Sequence, residues 1–198
     1  HREMLDQVLD LFHIKPKYDL NLMRTGQDLT DLTSRVLLEL REVFKKEKPD
    51  LILVHGDTTT SFAASLAAFY AGVPVGHVEA GLRTNNLKNP FPEEANRQLT
   101  GRLASLHFAP TETAEQNLIR ETIPEELIQV TGNTVIDALF LVKDKLGKKR
   151  HSNKELFGEK LGTFADSELQ ILLVTGHRRE NFGAGFLNIC KAIKKLSN

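Results

Sequence analysis

The residues of this chain best suited to chemistry stand directly behind short apolar runs. His55, Gly56 and Asp57 follow LILV; Glu79 follows VPVGHV, with Arg83 just beyond; Gly176, His177, Arg178, Arg179 and Glu180 follow ILLVT. The set supplies histidine and carboxylates for general acid–base work, and guanidinium groups that suit phosphate or developing negative charge. In an open parallel α/β sheet, ligands bind beyond the carboxyl ends of the strands, where these residues would sit. Several also have a structural reading. Asp57 precedes a Thr-rich stretch and can cap the next helix. Glu93 and Glu94 suit the positive end of a helix dipole. His177 can be an ordinary loop histidine, although glycine before it and arginine after it favour a phosphate site. His55 and His77 read as core or supporting residues, and Cys190, inside an amphipathic stretch, as a packed thiol. Glu79, which ends a buried run and precedes Ala-Gly, has little structural purpose.

The elements that must position them follow from periodicity. HREMLDQVLDLF has helical spacing from its first residues. Asp28 or Thr30 can cap a helix with Leu32, Val36, Leu40, Val43 and Phe44 on one face, stopped by Pro49. LILVH is wholly apolar, as in a strand buried on both faces of a parallel sheet. SFAASLAAFYAG reads as a helix closed by Gly72, and VPVGHVE as the next strand. Pro92 opens a helix through EEANRQLTGRLA; LHFA, TETAEQNLIRE and LIQV give strand, helix and strand. The alternation predicts an α/β fold with a doubly wound, Rossmann-like parallel sheet over residues 1–142. Residues 143–168 are charged and poorly periodic, and read as a helix tail and an exposed connection. Residues 169–198 restart the pattern with a strand, LQILLVTG, and a helix near FLNICKAIKKL, the first unit of a second domain.

Composition narrows the classes. The 198 residues carry 26 basic and 26 acidic side chains, a formal net charge of zero, so the chain lacks the basic footprint of a protein that binds nucleic acid by charge. No apolar run is long enough to span a bilayer, and a single cysteine suits a reducing cytoplasm. Neither HExxH nor paired-cysteine spacing is present, so no metal is expected. No GxGxxG follows a strand, so no dinucleotide cofactor is expected either.

The strings VHGDTTTSFAASLAAFY, PVGHVEAGLRT, PEEANRQLT, TGNTVIDAL and TGHRREN, with a likeness that starts at HREMLDQVL, resemble the non-hydrolysing UDP-N-acetylglucosamine 2-epimerases. The resemblance implies the N-terminal domain of a GT-B-type two-domain fold plus the start of the second domain. It implies a homodimeric isomerase that interconverts UDP-N-acetylglucosamine and UDP-N-acetylmannosamine without a cofactor, for bacterial surface polysaccharides. Under it, Asp57 and Glu79 match catalytic carboxylates, Glu93 a further acidic residue that serves either the chemistry or its regulation, and His177 the histidine that contacts UDP and aids its departure. Arg178 and Arg97 are electrostatic support for substrate. The family's N-terminal GTRPE segment and its DSGG region have no counterpart in these residues, so the chain is expected to be a piece of a longer protein, inactive alone. A hydrolysing relative would carry a bulky charged residue after HGD, where this chain has Thr58, Thr59 and Thr60. Three competing functions remain open at the level of sequence: that hydrolysing epimerase, which releases UDP and free N-acetylmannosamine; a GT-B glycosyltransferase, which needs an acceptor pocket; and a non-catalytic UDP-sugar-binding or assembly module.

Overall fold

The structure, a computed structural model, describes residues 2–148, 152–166, 168, 174 and 183–196. They fall into two compact units, 1–141 and 142–198. In the first, α1 (Arg2–Phe12) and α2 (Leu29–Glu47) precede four strands: β1 (Ile52–His55), β2 (Val75–Val78), β3 (Leu106–Ala109) and β4 (Ile128–Val130). Helices α3 (Thr59–Tyr70), α4 (Glu93–Leu103) and α5 (Glu112–Arg120) connect them in turn. All three pairings are parallel and the order is β1-β2-β3-β4. This is the expected α/β, Rossmann-type arrangement, and every connection steps one strand in the same direction.

Local chemistry explains the element ends. Asp28 caps α2 by accepting from the Asp31 amide at 2.8 Å, while Asp31 accepts from the Asp28 amide at 3.2 Å, a reciprocal capping box. Lys48 closes the helix in the left-handed region before Pro49. Thr58, rather than Asp57, caps α3, accepting from the Ser61 amide at 3.1 Å. Ser61 Oγ donates in turn to the His55 carbonyl at 2.6 Å, which ties the end of β1 to the start of α3.

The main core lies between β1, β2, α2 and α3. Phe44, Val54, Ala67, Ala68 and Val75 are buried there, with Leu40, Val43 and Ile52 packed against them. α3 is built of small residues, and Ala63 and Ser65 are fully buried on it, so neighbouring helices approach closely. Across β3 and α5, Leu118, Ala109 and Ala114 form a smaller buried group. Burying a side chain of leucine or phenylalanine size contributes about 1.5–3 kcal/mol, so Phe44 and Leu118 are principal contributors.

In the second unit, the segment expected to be an exposed connection contains helix α7 (Asn153–Ala165), which follows α6 (Thr134–Lys148). A second capping box, Ser152 with Glu155, starts α7, and Gly158 at φ 75° breaks its regular backbone. The signal, Ser-x-x-Glu, lay in the charged tract but was masked by poor periodicity. The expected helix near FLNICKAIKKL is α8 (Ala184–Leu196). Cys190 is exposed on α8, contrary to the packed thiol expected, because no residue of that helix is buried. The strand expected over LQILLVTG lies almost wholly outside the described residues. Among those described, no helix is long and apolar enough to cross a membrane.

His77 and His107 are paired in register on β2 and β3, and both are almost completely buried. Burial, the largest cause in each, pushes both imidazoles down to about 4, because the charged form has no water there. A folded-state value below the unfolded one means that the unfolded chain binds more protons in between. The stability these neutral histidines contribute is therefore complete above about pH 6.5 and is lost progressively toward pH 4. Urea unfolding of the full-length protein at pH 7.5, 5.5 and 4.5 checks this. Replacing His107, whose ring nitrogens have no partner among the described residues, by leucine is expected to flatten the dependence.

Candidate active site

The carboxyl ends of β1 and β2 bring the first two candidate carboxylates onto neighbouring loops. Gly56, at φ 68°, turns the chain out of β1 and donates its amide to the Val78 carbonyl at 2.9 Å. His77 donates Nε2–H to the Gly56 carbonyl at 2.8 Å, since a carbonyl only accepts; the neutral ring therefore carries its proton on Nε2. A Cβ on Gly56 would sit 3.3 Å from Glu79 Oε2, so glycine leaves room for that carboxylate beside the turn. Glu79 has φ 66°, a left-handed conformation that costs a non-glycine residue energy and recurs at functional sites. His55 Nε2 lies 3.9 Å from Glu79 Oε2 and 3.2 Å from Thr134 Oγ1. Behind Glu79, Gly81 at φ 87° lets α5 approach: a Cβ there would meet the Ala114 carbonyl oxygen at 2.2 Å.

Asp57 is held from α4 rather than spent on a cap. Its Oδ2 is 2.9 Å from Arg97 Nη2, and its backbone carbonyl accepts from Asn96 Nδ2 at 2.9 Å. The Asp57 side chain remains 29% exposed, open to a ligand, whereas Arg97 is 11% exposed. A capping role for Asp57 is thus excluded by Thr58. Arg97, expected as support for substrate, is committed to Asp57 and to Glu94, whose Oε2 lies 3.5 Å from Arg97 Nε.

Glu94 is fully buried. Its Oε1 accepts from the Asn85 amide at 3.0 Å and Gln98 Nε2 at 2.8 Å, and its Oε2 accepts from the Thr84 amide at 3.0 Å. Burial by itself pushes the Glu94 carboxyl up. The bond from Gln98, the amides of Thr84 and Asn85 and the charge of Arg97 together outweigh it, and it titrates below the usual glutamate range. A dipole-favoured first-turn glutamate would stand in solvent; Glu94 instead stitches α4 to the loop after β2. Glu93, its half-buried neighbour, opens α4, and its carbonyl faces Arg97 Nε at 3.4 Å.

The structure therefore gathers Asp57, Arg97 and Glu79 around the ends of β1 and β2, with Glu93 at the start of the helix that supplies Arg97. Arg83 belongs elsewhere. It is 2% exposed and makes two bonds to Glu121, at 2.6 and 2.9 Å, clamping the loop to the end of α5. His177 and Arg178 lie outside the described residues. Sequence reasoning missed the supporting roles of Glu94, Asn96 and His77. The available signal was a polar face on α4, Glu94, Arg97 and Gln98 at i, i+3 and i+4, where a helix against a sheet normally shows apolar residues.

Residues 1–198 match the family model described as UDP-N-acetylglucosamine 2-epimerase. The chain belongs to the UDP-N-acetylglucosamine 2-epimerase family. The UDP-N-acetylglucosamine 2-epimerase of Yersinia pestis is 58% identical over 197 residues, and that of Escherichia coli K12 is 56% identical; each alignment takes in 100% of this chain and 52% of the relative. A solved UDP-GlcNAc 2-epimerase from Neisseria meningitidis, bound to UDP-GlcNAc, superposes with a TM-score of 0.91 at 52% identity, over 100% of this chain and 52% of its own. The chain thus spans about half the length of the curated relatives it matches.

The two ends of Arg97 differ in burial, and stability should report it. Arg97→Leu leaves Glu94 buried without its cation and is expected to cost about 3 kcal/mol, against less than about 1 kcal/mol for Asp57→Asn at the exposed end. Urea unfolding of both variants in the full-length protein checks the order; equal losses would contradict it.

Proposed function

We propose that the full-length protein interconverts UDP-N-acetylglucosamine and UDP-N-acetylmannosamine without hydrolysis, and that Asp57 and Glu79 carry the proton transfers. The observation that carries this reading is the placement of the two carboxylates on adjacent strand-end loops in a chain of this family. The Neisseria relative solved with UDP-GlcNAc supports the substrate class.

Carbon 2 of the sugar is not beside a carbonyl, so its proton is not acidic enough to be removed directly. Breaking the C1–O bond first sends the electron pair out with UDP and leaves an oxocarbenium-like centre that acidifies the C2 proton. A carboxylate takes that proton and a glycal with a C1=C2 double bond remains. A second acid returns a proton to C2 from the opposite face, and UDP re-forms the C1–O bond. Two acid–base groups on different loops meet this need for two faces, and a nearby positive charge stabilises departing UDP. His177 and Arg178 are assigned that second task on the resemblance of TGHRREN, and Glu93 a further acidic role beside the site. Arg97 acts on the substrate only through Asp57. The reading assigns activity to a full-length, homodimeric, cytoplasmic protein, with residues 1–198 alone giving no turnover.

The test is incubation of the full-length protein with UDP-N-acetylglucosamine in deuterium oxide, followed by proton NMR. Deuterium is expected at C2 in both epimers with the sugar still attached to UDP. Glu79→Gln is expected to lower the exchange rate by about 100-fold or more, the size typical of losing a general acid or base. Release of free N-acetylmannosamine would show a hydrolysing enzyme instead, and epimerisation without label at C2 would remove the carboxylates from the mechanism.

A further inference from the structure

We propose that Glu94 is a positioning residue for this reaction: one buried carboxylate fixes both the loop that follows Glu79 and the arginine that holds Asp57. The inference rests on the epimerase reading above and names a residue which that reading does not use.

Acceptor capacity singles Glu94 out. An ionised carboxylate offers about four lone-pair sites; Glu94 accepts three hydrogen bonds and faces Arg97 as an ion pair. Oε1 takes the Asn85 amide at 3.0 Å and Gln98 at 2.8 Å; Oε2 takes the Thr84 amide at 3.0 Å and lies 3.5 Å from Arg97 Nε as an ion pair, the Nε hydrogen itself going to the Glu93 carbonyl at 3.4 Å. Two of these donors are consecutive backbone amides, so the carboxylate fixes the course of the chain at 84–85 as well as a side-chain rotamer. Asn85, at φ 59°, is in a left-handed conformation that the two-amide grip holds in place. The other two partners, Gln98 and Arg97, lie on α4 itself. Of these, Arg97 spans the remaining distance: ion-paired with Glu94, its Nη2 reaches Asp57 Oδ2 at 2.9 Å. Asn96, the neighbouring residue, holds the Asp57 backbone at 2.9 Å. Glu79 and Asp57 are therefore referred to one buried anchor that touches neither. Such an anchor matters because a displacement of about 1 Å in a reacting group can cost 100-fold in rate.

The informative variant is Glu94→Gln. An amide of nearly the same shape keeps one acceptor oxygen, but turns its NH2 toward a backbone amide donor, of Thr84 or of Asn85, whichever way it is placed, so one of the two loop contacts must break and the charge facing Arg97 is lost. In the full-length protein we expect kcat to fall at least about 30-fold while KM for UDP-N-acetylglucosamine changes less than about three-fold. Acting through Arg97 also predicts non-additivity: Glu94→Gln added to Arg97→Lys should lower kcat little beyond Arg97→Lys alone. A purely structural glutamate would lower the melting temperature but leave kcat per folded molecule unchanged, or add its loss to that of Arg97→Lys; either result overturns the proposal. If Glu94→Gln does not fold, Gln98→Met removes one donor to Oε1 at similar volume and should lower kcat about five-fold. Wild-type kcat in that variant overturns it too. A wild-type enzyme without epimerisation would instead sink the parent reading, and this one with it; active wild type with unaltered variants sinks this one alone.

Discussion

Arg97 stands between two carboxylates of different character, and the arrangement of the site depends on that bridge. At one end is Glu94, fully buried and holding three hydrogen bonds; at the other is Asp57, still open to solvent on one side. Taking a carboxylate and a guanidinium out of water costs several kcal/mol per ion, and that cost is offset only when the remaining lone pairs and protons find partners. Glu94 meets the condition through two amides and Gln98. The guanidinium is thereby fixed in a geometry it would not keep as a free surface side chain, and Asp57 is paired with a cation whose position does not depend on ligand.

The sheet supplies the other half of the geometry. Parallel pairing of β1 with β2 brings His55 beside Val78, so the two chains leave the sheet side by side. Gly56 then turns without a Cβ, and Glu79 occupies the space so left, in a backbone conformation that is costly for glutamate. The bond from His77 to the Gly56 carbonyl and that from Ser61 to the His55 carbonyl lock the turn to β2 and α3. Strain at Glu79 is held by these contacts and by the close approach of α5 at Gly81.

Much of this geometry is legible in the residues themselves. The apolar run at LILVH, the Asp28 cap, Gly72 after the Ala-rich helix and the strand-end placement of Asp57 and Glu79 all follow from period and turn chemistry, which act over a few residues. What is not legible depends on contacts between distant residues. The sequence cannot show that Arg83 would be consumed by Glu121, or that Thr58 would take the cap and release Asp57. Nor does it show that Glu94, an ordinary first-turn glutamate by composition, would be buried under a loop ten residues earlier. The α7 helix escaped for a different reason: its capping box is local, but Gly158 and a charged surface blur the period that would have revealed it.

Carboxylates held this way are proposed to serve the departure and return of UDP rather than direct inversion at an intact C1–O bond. The most direct measurement follows the oxygen itself, with UDP-N-acetylglucosamine labelled with heavy oxygen at the bridge between C1 and the β-phosphorus. On turnover by the full-length protein, the label should scramble into the non-bridging positions of the β-phosphate in step with epimerisation. Complete epimerisation with the label still wholly in the bridge would contradict the account.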